Sequence, residues 1–224
     1  MLLLYVDDIL ITGDDVEHIS LVKQQLGEHF QMSDLGPLSY FLGIEVKQCA
    51  NGYYISQTKY IQDLIARSGN RTTATPMDLH LHLHPTDGTP LPNPSRYRHL
   101  VGSQVYLTVT RPDIAHAVHI LSQFVSAPTS VHFGHLLCVL RYLRGTTSRC
   151  LFYACNSPLQ LYAYSDFIWA SDPTDRRSIT GYCILLGSSP IAWKSKKHAA
   201  VSHSSTEAEL RALATTTSQI VWLR

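Results

Sequence analysis

Two adjacent aspartates lie inside an apolar run at the beginning of the chain. Asp7 and Asp8 stand between residues 2–6 and 9–11, which are only Leu, Ile, Val and Tyr. Neighbouring carboxylates repel each other and lose hydration when buried, so the fold must protonate one, solvate both or supply a cation. A divalent metal ion meets that need most directly. The flanks predict two buried strands with the aspartates at the bend, and a surface hairpin with a polar turn is the alternative.

The length and composition are those of a globular chain. The 224 residues are 45% hydrophobic and 16% charged, which is enough for one large or two small cored domains. The formal net charge of +1 gives no overall attraction to nucleic acid, so any such surface must be local. Five cysteines without a CxxC pair predict reduced thiols in an intracellular compartment and no zinc site. We expect neither a signal peptide nor a membrane span, because the apolar start is too short.

Apolar periodicity divides the chain into two halves with an irregular middle. The first half predicts a helix over residues 16–30, strands over 40–46 and 53–56 around Asn51-Gly52, and a helix over 57–68. The proline-rich residues 71–96 predict a linker. Its alternating His80, His82 and His84 could ligate a metal, but a solvated loop is the default because a loop lacks the rigid frame that ligands need.

The second half predicts helices first and strands later. Helical spacing extends over residues 97–107, 113–124 and 130–143, within a helical region that we place at 97–156. Residues 159–166, 181–186 and 191–196 read as three strands, and a helix begins near Ser204. These strands and this helix lie in a last region that we place at 157–224. The predicted fold class is α+β.

Several segments, in this order, resemble copia-type retrotransposon Pol polyproteins. They are YVDD (5–8), SDLG (33–36), YFLGI (40–44), SQTKY (56–60), LTVTRPDI (107–114), LRYLRGT (140–146), SD (165–166), DRRS (175–178), WKSKK (193–197) and SSTEAEL (204–210). The resemblance implies that residues 1–70 are the C-terminal part of a reverse transcriptase palm. The helical region would be thumb or connection, and 157–224 would be the first three strands and first helix of an RNase H-like fold.

The resemblance also implies the chemistry and the partners. Asp7 and Asp8 would hold Mg²⁺ for nucleotidyl transfer on an RNA template with a DNA primer. Asp166 and Glu209 would hold Mg²⁺ for hydrolysis of the RNA strand of an RNA/DNA hybrid, and we expect them on one side of the sheet. Helix capping by Ser204 with Glu207, or by Thr206 with Glu209, is the structural alternative, and Glu207 fits a cap better.

Basic residues near the predicted strands could contact phosphates, although a solvated basic edge is the alternative. They are Arg176, Arg177, Lys194, Lys196 and Lys197.

Two departures from the family pattern lead us to expect an inactive chain. Ile168 stands where the family usually has a second acid, which suggests relaxed selection at that site. The family's other metal-binding acids, upstream of Tyr5 and beyond Arg224, are not in this sequence, so two carboxylates remain for each two-metal site. The alternatives are a nucleic-acid-binding module that has lost catalysis, and part of an active enzyme seen through an incomplete gene model.

Overall fold

The computed structural model describes residues 1–66, 69–78 and 81–224 and is mixed α+β, as predicted. Within these residues the strands form three antiparallel sheets, with orders β1-β2, β3-β4-β5-β6 and β7-β8-β9. Along the chain the elements are β1 (Leu2–Tyr5), β2 (Asp8–Ile11), α1 (Val16–His29), β3 (Tyr40–Phe41), β4 (Ile44–Cys49), β5 (Gly52–Ser56), α2 (Thr58–Ile65), α3 (Pro94–Leu107), a 3-10 turn (Pro112–Ile114), α4 (Ala115–Ser122), α5 (Ser130–Gly145), β6 (Leu151–Ala154), β7 (Leu161–Ile168), β8 (Ile179–Leu186), β9 (Ser189–Lys197) and α6 (Ser205–Leu223).

The first two strands form a hairpin that lies on the surface. All four residues of β1 are exposed, and β2 is at most half-buried. The prediction of two buried strands is therefore wrong, and the alternative of a surface hairpin is correct. The physical reason is that β1 and β2 pack chiefly against each other, and among the described residues neither strand makes an extensive contact with a helix or another sheet.

The second sheet joins distant parts of the chain. Strands β4 and β5 pair as the predicted hairpin, but residues 40–46 do not form one continuous strand. Leu42 and Gly43 both adopt positive φ and separate β3 from β4. Strand β6, which sequence patterning misses, pairs with β5 almost a hundred residues earlier. Its pairing is non-local, so short-range periodicity carries little information about it.

The four central helices enclose the main hydrophobic core. Leu107, Leu121, Leu136 and Leu143 are fully buried there, and helix α2 contributes Ile61. Burial of these apolar side chains removes about 25 cal/mol of unfavourable hydration per Å² of apolar surface. This core therefore holds the four helices together.

A buried arginine network explains the TRPDI segment. The Arg111 guanidinium donates to the Asp113 carboxylate at 3.0 and 2.8 Å, and to the Thr146 carbonyl at 3.1 Å. The Tyr142 hydroxyl donates to the same carboxylate at 2.7 Å. Burial opposes ionisation of Asp113, but its bonds to Arg111 and Tyr142 outweigh that cost and lower its pKa. The network ties the start of α4 to the end of α5.

The predicted linker is mostly exposed where the structure describes it, but a few of its apolar side chains pack on the helical core. Leu83 belongs to the helical core, and the backbone of Leu91 donates to Pro128 at 3.0 Å. His82 and His84 are exposed, and His80 lies outside the described residues.

The third sheet docks on the helices through one of its faces. The Trp193 indole donates to the Thr108 carbonyl at 2.7 Å, and Ser195 Oγ lies 3.4 Å from His116 Nδ1. Strand β9 thus lies against α4, whereas α6 packs against β7 and β8. In the described part of the chain, no helix has both the length and the apolar composition needed to cross a membrane.

Candidate functional site

The YVDD residues occupy the tip of the surface hairpin. Tyr5 pairs with Asp8 across the strands, so Val6 and Asp7 form the two-residue turn. Val6 has a φ of 49°, which is rare for a β-branched residue and is the kind of strain that gathers at functional turns. The turn breaks the alternation of a flat strand and presents Asp7 beside Asp8, both exposed to solvent.

These two carboxylates fit a Mg²⁺ site only in part. Magnesium ions commonly take one or two protein carboxylates and keep several waters or substrate phosphates, which an exposed tip allows. Among the described residues, however, no three His, Cys, Asp or Glu side chains come close enough to hold a metal ion together. The hairpin therefore brings together two ligands and no third.

The structure separates Asp166 from Glu209. Paired residues of an antiparallel sheet share a face, and successive residues alternate. Asp166 pairs with Gly181 and through it with Ser195, which contacts α4. Tyr182 is on the opposite face, and its hydroxyl donates to Gln219 of α6 at 3.3 Å.

The expectation that both carboxylates lie on one side of the sheet is therefore wrong. Asp166 is on the α4 side, and the helix that carries Glu209 packs on the other. Strand register, which decides the face, is not visible in the motif itself. Glu209 is also exposed, off the α6 face that Ala208, Ala212 and Thr216 bury.

Glu207 has the capping role that the sequence favours for it. Ser204 Oγ accepts from the backbone N–H of Glu207 at 3.1 Å, and the Glu207 carboxylate accepts from the His203 N–H at 2.8 Å. The bond from the His203 N–H, together with the ion pair to Arg211, lowers the pKa of Glu207. Its carboxylate is therefore committed to the helix start.

Comparison with known proteins points to one family. The family described as reverse transcriptase (RNA-dependent DNA polymerase) matches residues 1–79. An uncharacterized mitochondrial protein of Arabidopsis thaliana is 43% identical over 99% of this chain and 93% of its own length. The retrovirus-related Pol polyproteins from transposon RE2 of A. thaliana and transposon TNT 1-94 of Nicotiana tabacum are 45% and 38% identical over 99% and 100% of this chain.

The chain belongs to the copia-like Pol polyprotein family. The family resemblance drawn from its motifs and a reverse transcriptase-like domain are thereby confirmed, and the RNase H-like region stays a prediction. The chain spans 16% of the RE2 polyprotein and 18% of the TNT 1-94 polyprotein. No solved structure matches it.

The basic residues of this copia-like chain do not form one patch. Lys197 is largely buried, and its ammonium contacts Asp172 at 2.5 Å, Asp175 at 2.9 Å and Gln123 at 3.2 Å. Burial opposes its charge, but the two carboxylates outweigh that and raise the pKa of Lys197. We call Lys197, Asp172, Asp175 and Gln123 the β9 latch, because they tie β9 to α4 and to the loop before β8.

The other predicted phosphate contacts differ in availability. Arg177 lies 3.5 Å from Asp175, whereas Arg176 is exposed at a φ of 57°. Lys194 and Lys196 are exposed on the face opposite Lys197, and neither forms an ion pair with another described residue. Three of the five predicted basic residues thus remain open to solvent and to a polyanion.

A cleft between α4 and the third sheet brings the predicted Asp166 together with residues that sequence reasoning misses. It measures about 280 Å³, and its lining includes His116, Asp166, Gly181, Trp193 and Ser195. Burial lowers the pKa of His116, and burial together with His116, Lys197 and Lys194 lowers the pKa of His119 to about 4. No local pattern could reveal this cleft, because His116 and Ser195 are 79 residues apart.

Proposed function

We propose that the chain is a segment of a copia-like reverse transcriptase and RNase H polyprotein. Residues 1–70 would be the C-terminal part of the palm, 71–96 a linker, 97–156 a thumb or connection region, and 157–224 an RNase H-like portion. The YVDD tip on a two-residue turn supports the palm assignment. Three antiparallel strands followed by a helix support the RNase H-like assignment.

In this proposal Asp7 and Asp8 bind Mg²⁺ at the hairpin tip. The bound ion would stabilise the charge that develops during phosphoryl transfer between a DNA primer and an incoming nucleotide. The two carboxylates provide its protein oxygens, and the surface position of the tip lets an RNA template with its primer approach. The exposed Leu3 and Tyr5 beside the tip leave apolar surface for the same approach.

We further propose that the 224-residue chain alone has neither activity. The single observation that carries this is the number of acids: a two-metal site needs bridging and flanking carboxylates, and the hairpin tip supplies two. For hydrolysis, Asp166 and α6 occupy opposite faces of the sheet, and Ile168 brings no oxygen ligand. Neither pair of acids can hold two metal ions.

Two measurements test this proposal together. Manganese binding followed by water-proton relaxation should show a weak site that the Asp7→Asn, Asp8→Asn double variant removes and Asp14→Asn leaves intact. Primer extension on an oligo-primed RNA template, and cleavage of a labelled RNA/DNA hybrid, should give nothing above a blank. Extension that disappears in the double variant, or cleavage that disappears in Asp166→Asn, would show that two acids are enough.

A second function is favoured by the exposed lysines. A module that binds hybrid duplex without catalysis would use Lys194 and Lys196, which are free of ion pairs in the described structure. Its affinity should fall steeply with salt, because each neutralised phosphate releases condensed counterions. Replacing both lysines by Ala should reduce the salt slope by about two, with Lys47→Ala as control. An unchanged slope would exclude this surface.

A further inference from the structure

The floor of the cleft beside α4 has a gap in the middle of one cross-strand row. Asp166, Gly181 and Ser195 stand side by side on β7, β8 and β9, on the face toward α4. A Cβ built on Gly181 would meet no atom within 4 Å. The central position therefore opens into the cleft between two polar side chains, which lie roughly 10 Å apart over two interstrand spacings.

The two ends of this row offer different hydrogen-bonding groups. Asp166 Oδ1 accepts from the Phe167 N–H at 2.8 Å, and among the described residues nothing else donates to this carboxylate. At the other end, His116 Nδ1 lies 3.4 Å from Ser195 Oγ. With Nδ1–H donating to that oxygen, the Ser195 hydroxyl proton can point into the cleft.

The walls between these ends are mainly apolar. Ile168, Ile179 and Trp193 line the cleft, and the α4 side contributes Pro112 and Ala115. Such walls suit a flat ring system laid over the missing side chain of Gly181. The cleft is therefore suited to a planar ligand whose donors on one edge meet Asp166 and whose acceptors on the opposite edge meet Ser195.

We propose that this cleft binds a guanine base, with the N1–H and N2–H groups donating to Asp166 and the O6/N7 edge accepting from Ser195. Guanine offers two adjacent donors to a carboxylate, which gives a paired contact. Uracil and cytosine have an acceptor atom where guanine has its second donor, so they cannot make this paired contact and the acceptor atom is repelled by the carboxylate. Adenine has a single exocyclic donor group flanked by ring acceptors. The site goes beyond the proposed function, because it needs neither a metal ion nor catalysis.

The Gly181→Ala variant provides the sharpest test. Its new methyl group meets open space in the fold, but it would occupy the position of the ring. Calorimetric titration of the full chain with the four nucleoside monophosphates should show preferential binding of GMP. Gly181→Ala and Asp166→Asn should each weaken GMP binding about tenfold or more, with unchanged melting temperatures. The matched controls Gly102→Ala and Asp63→Asn, both distant from the cleft, should bind GMP normally.

Two further ligands test which atoms of guanine make the contacts and whether the base comes from a nucleic-acid strand or a free nucleotide. Inosine monophosphate, which lacks the N2 amine, should bind more weakly than GMP. An oligo-dT strand with one central dG that binds better than GMP would assign the cleft to single strands, and the reverse would assign it to free nucleotides. Equal affinity for all four monophosphates, no binding of GMP, or full binding by Gly181→Ala would overturn the proposal.

Discussion

Acidification should loosen the contact between α4 and β9 through His119. The imidazole Nε2 accepts from the backbone N–H of Lys197 at 3.1 Å, so the ring must be neutral for the bond to exist. Burial lowers the pKa of His119 from 6.5 to about 4, with further contributions from His116, Lys197 and Lys194. In the unfolded chain the ring titrates at its ordinary value.

The sign and size of the effect follow from proton linkage. Between pH 6.5 and about 4, His119 is protonated in the unfolded chain but stays neutral in the folded chain. The free energy of unfolding therefore falls as the pH falls. The contribution is complete above pH 6.5 and lost below about 4. At about 1.4 kcal/mol for each tenfold change in proton affinity, the loss is about 3 kcal/mol.

Urea unfolding at a series of pH values measures this loss. The matched variant is His119→Gln, which keeps a neutral acceptor near the Lys197 N–H and removes the titrating ring. Other histidines with lowered pKa, among them His132 and His198, titrate in both proteins and cancel in the difference. The free energy of unfolding of wild type should therefore fall about 3 kcal/mol further than that of the variant between pH 7 and 4. Parallel pH profiles would refute the assignment to His119.

Three substitutions test the other contacts by urea unfolding at pH 7. Lys197→Met leaves two partly buried carboxylates without their cation and should cost about 2 kcal/mol, whereas the exposed control Lys47→Met should be near neutral. Asp113→Asn leaves the Arg111 guanidinium, 2% exposed, without its anion and should cost about 3 kcal/mol, against little for Asp63→Asn. Gly52→Ala places a Cβ 2.0 Å from the Tyr153 carbonyl and should cost more than about 2 kcal/mol, while Gly27→Ala, with open space around it, should cost nothing. The role of the β9 latch would be contradicted if Lys197→Met had the free energy of unfolding of wild type. The roles of the Asp113 and Gly52 contacts would be contradicted if Asp113→Asn or Gly52→Ala lost no more stability than its control.

Local sequence determined most of the elements of this chain. Helical spacing gave α1 to within one residue of its end, and the Ser204 cap placed the start of α6. The paired aspartates with their apolar flanks gave the hairpin and its turn, and the ordered motifs gave the family. These features are readable because each depends on neighbours within a few residues: a 3.6-residue period, a capping side chain or a two-residue turn.

Tertiary structure decided which of those elements meet. Whether β1 is buried depends on which elements cover the hairpin. A run of apolar residues is compatible with both a core strand and an exposed one. Asp166 faces α4 because of the register of β7, β8 and β9, and a shift of one residue would have turned it toward α6. The β9 latch joins Lys197 to Asp172, 25 positions away, and His116 lies near Ser195, 79 positions away. Such contacts arise only when the whole chain packs, so no segment taken by itself contains them.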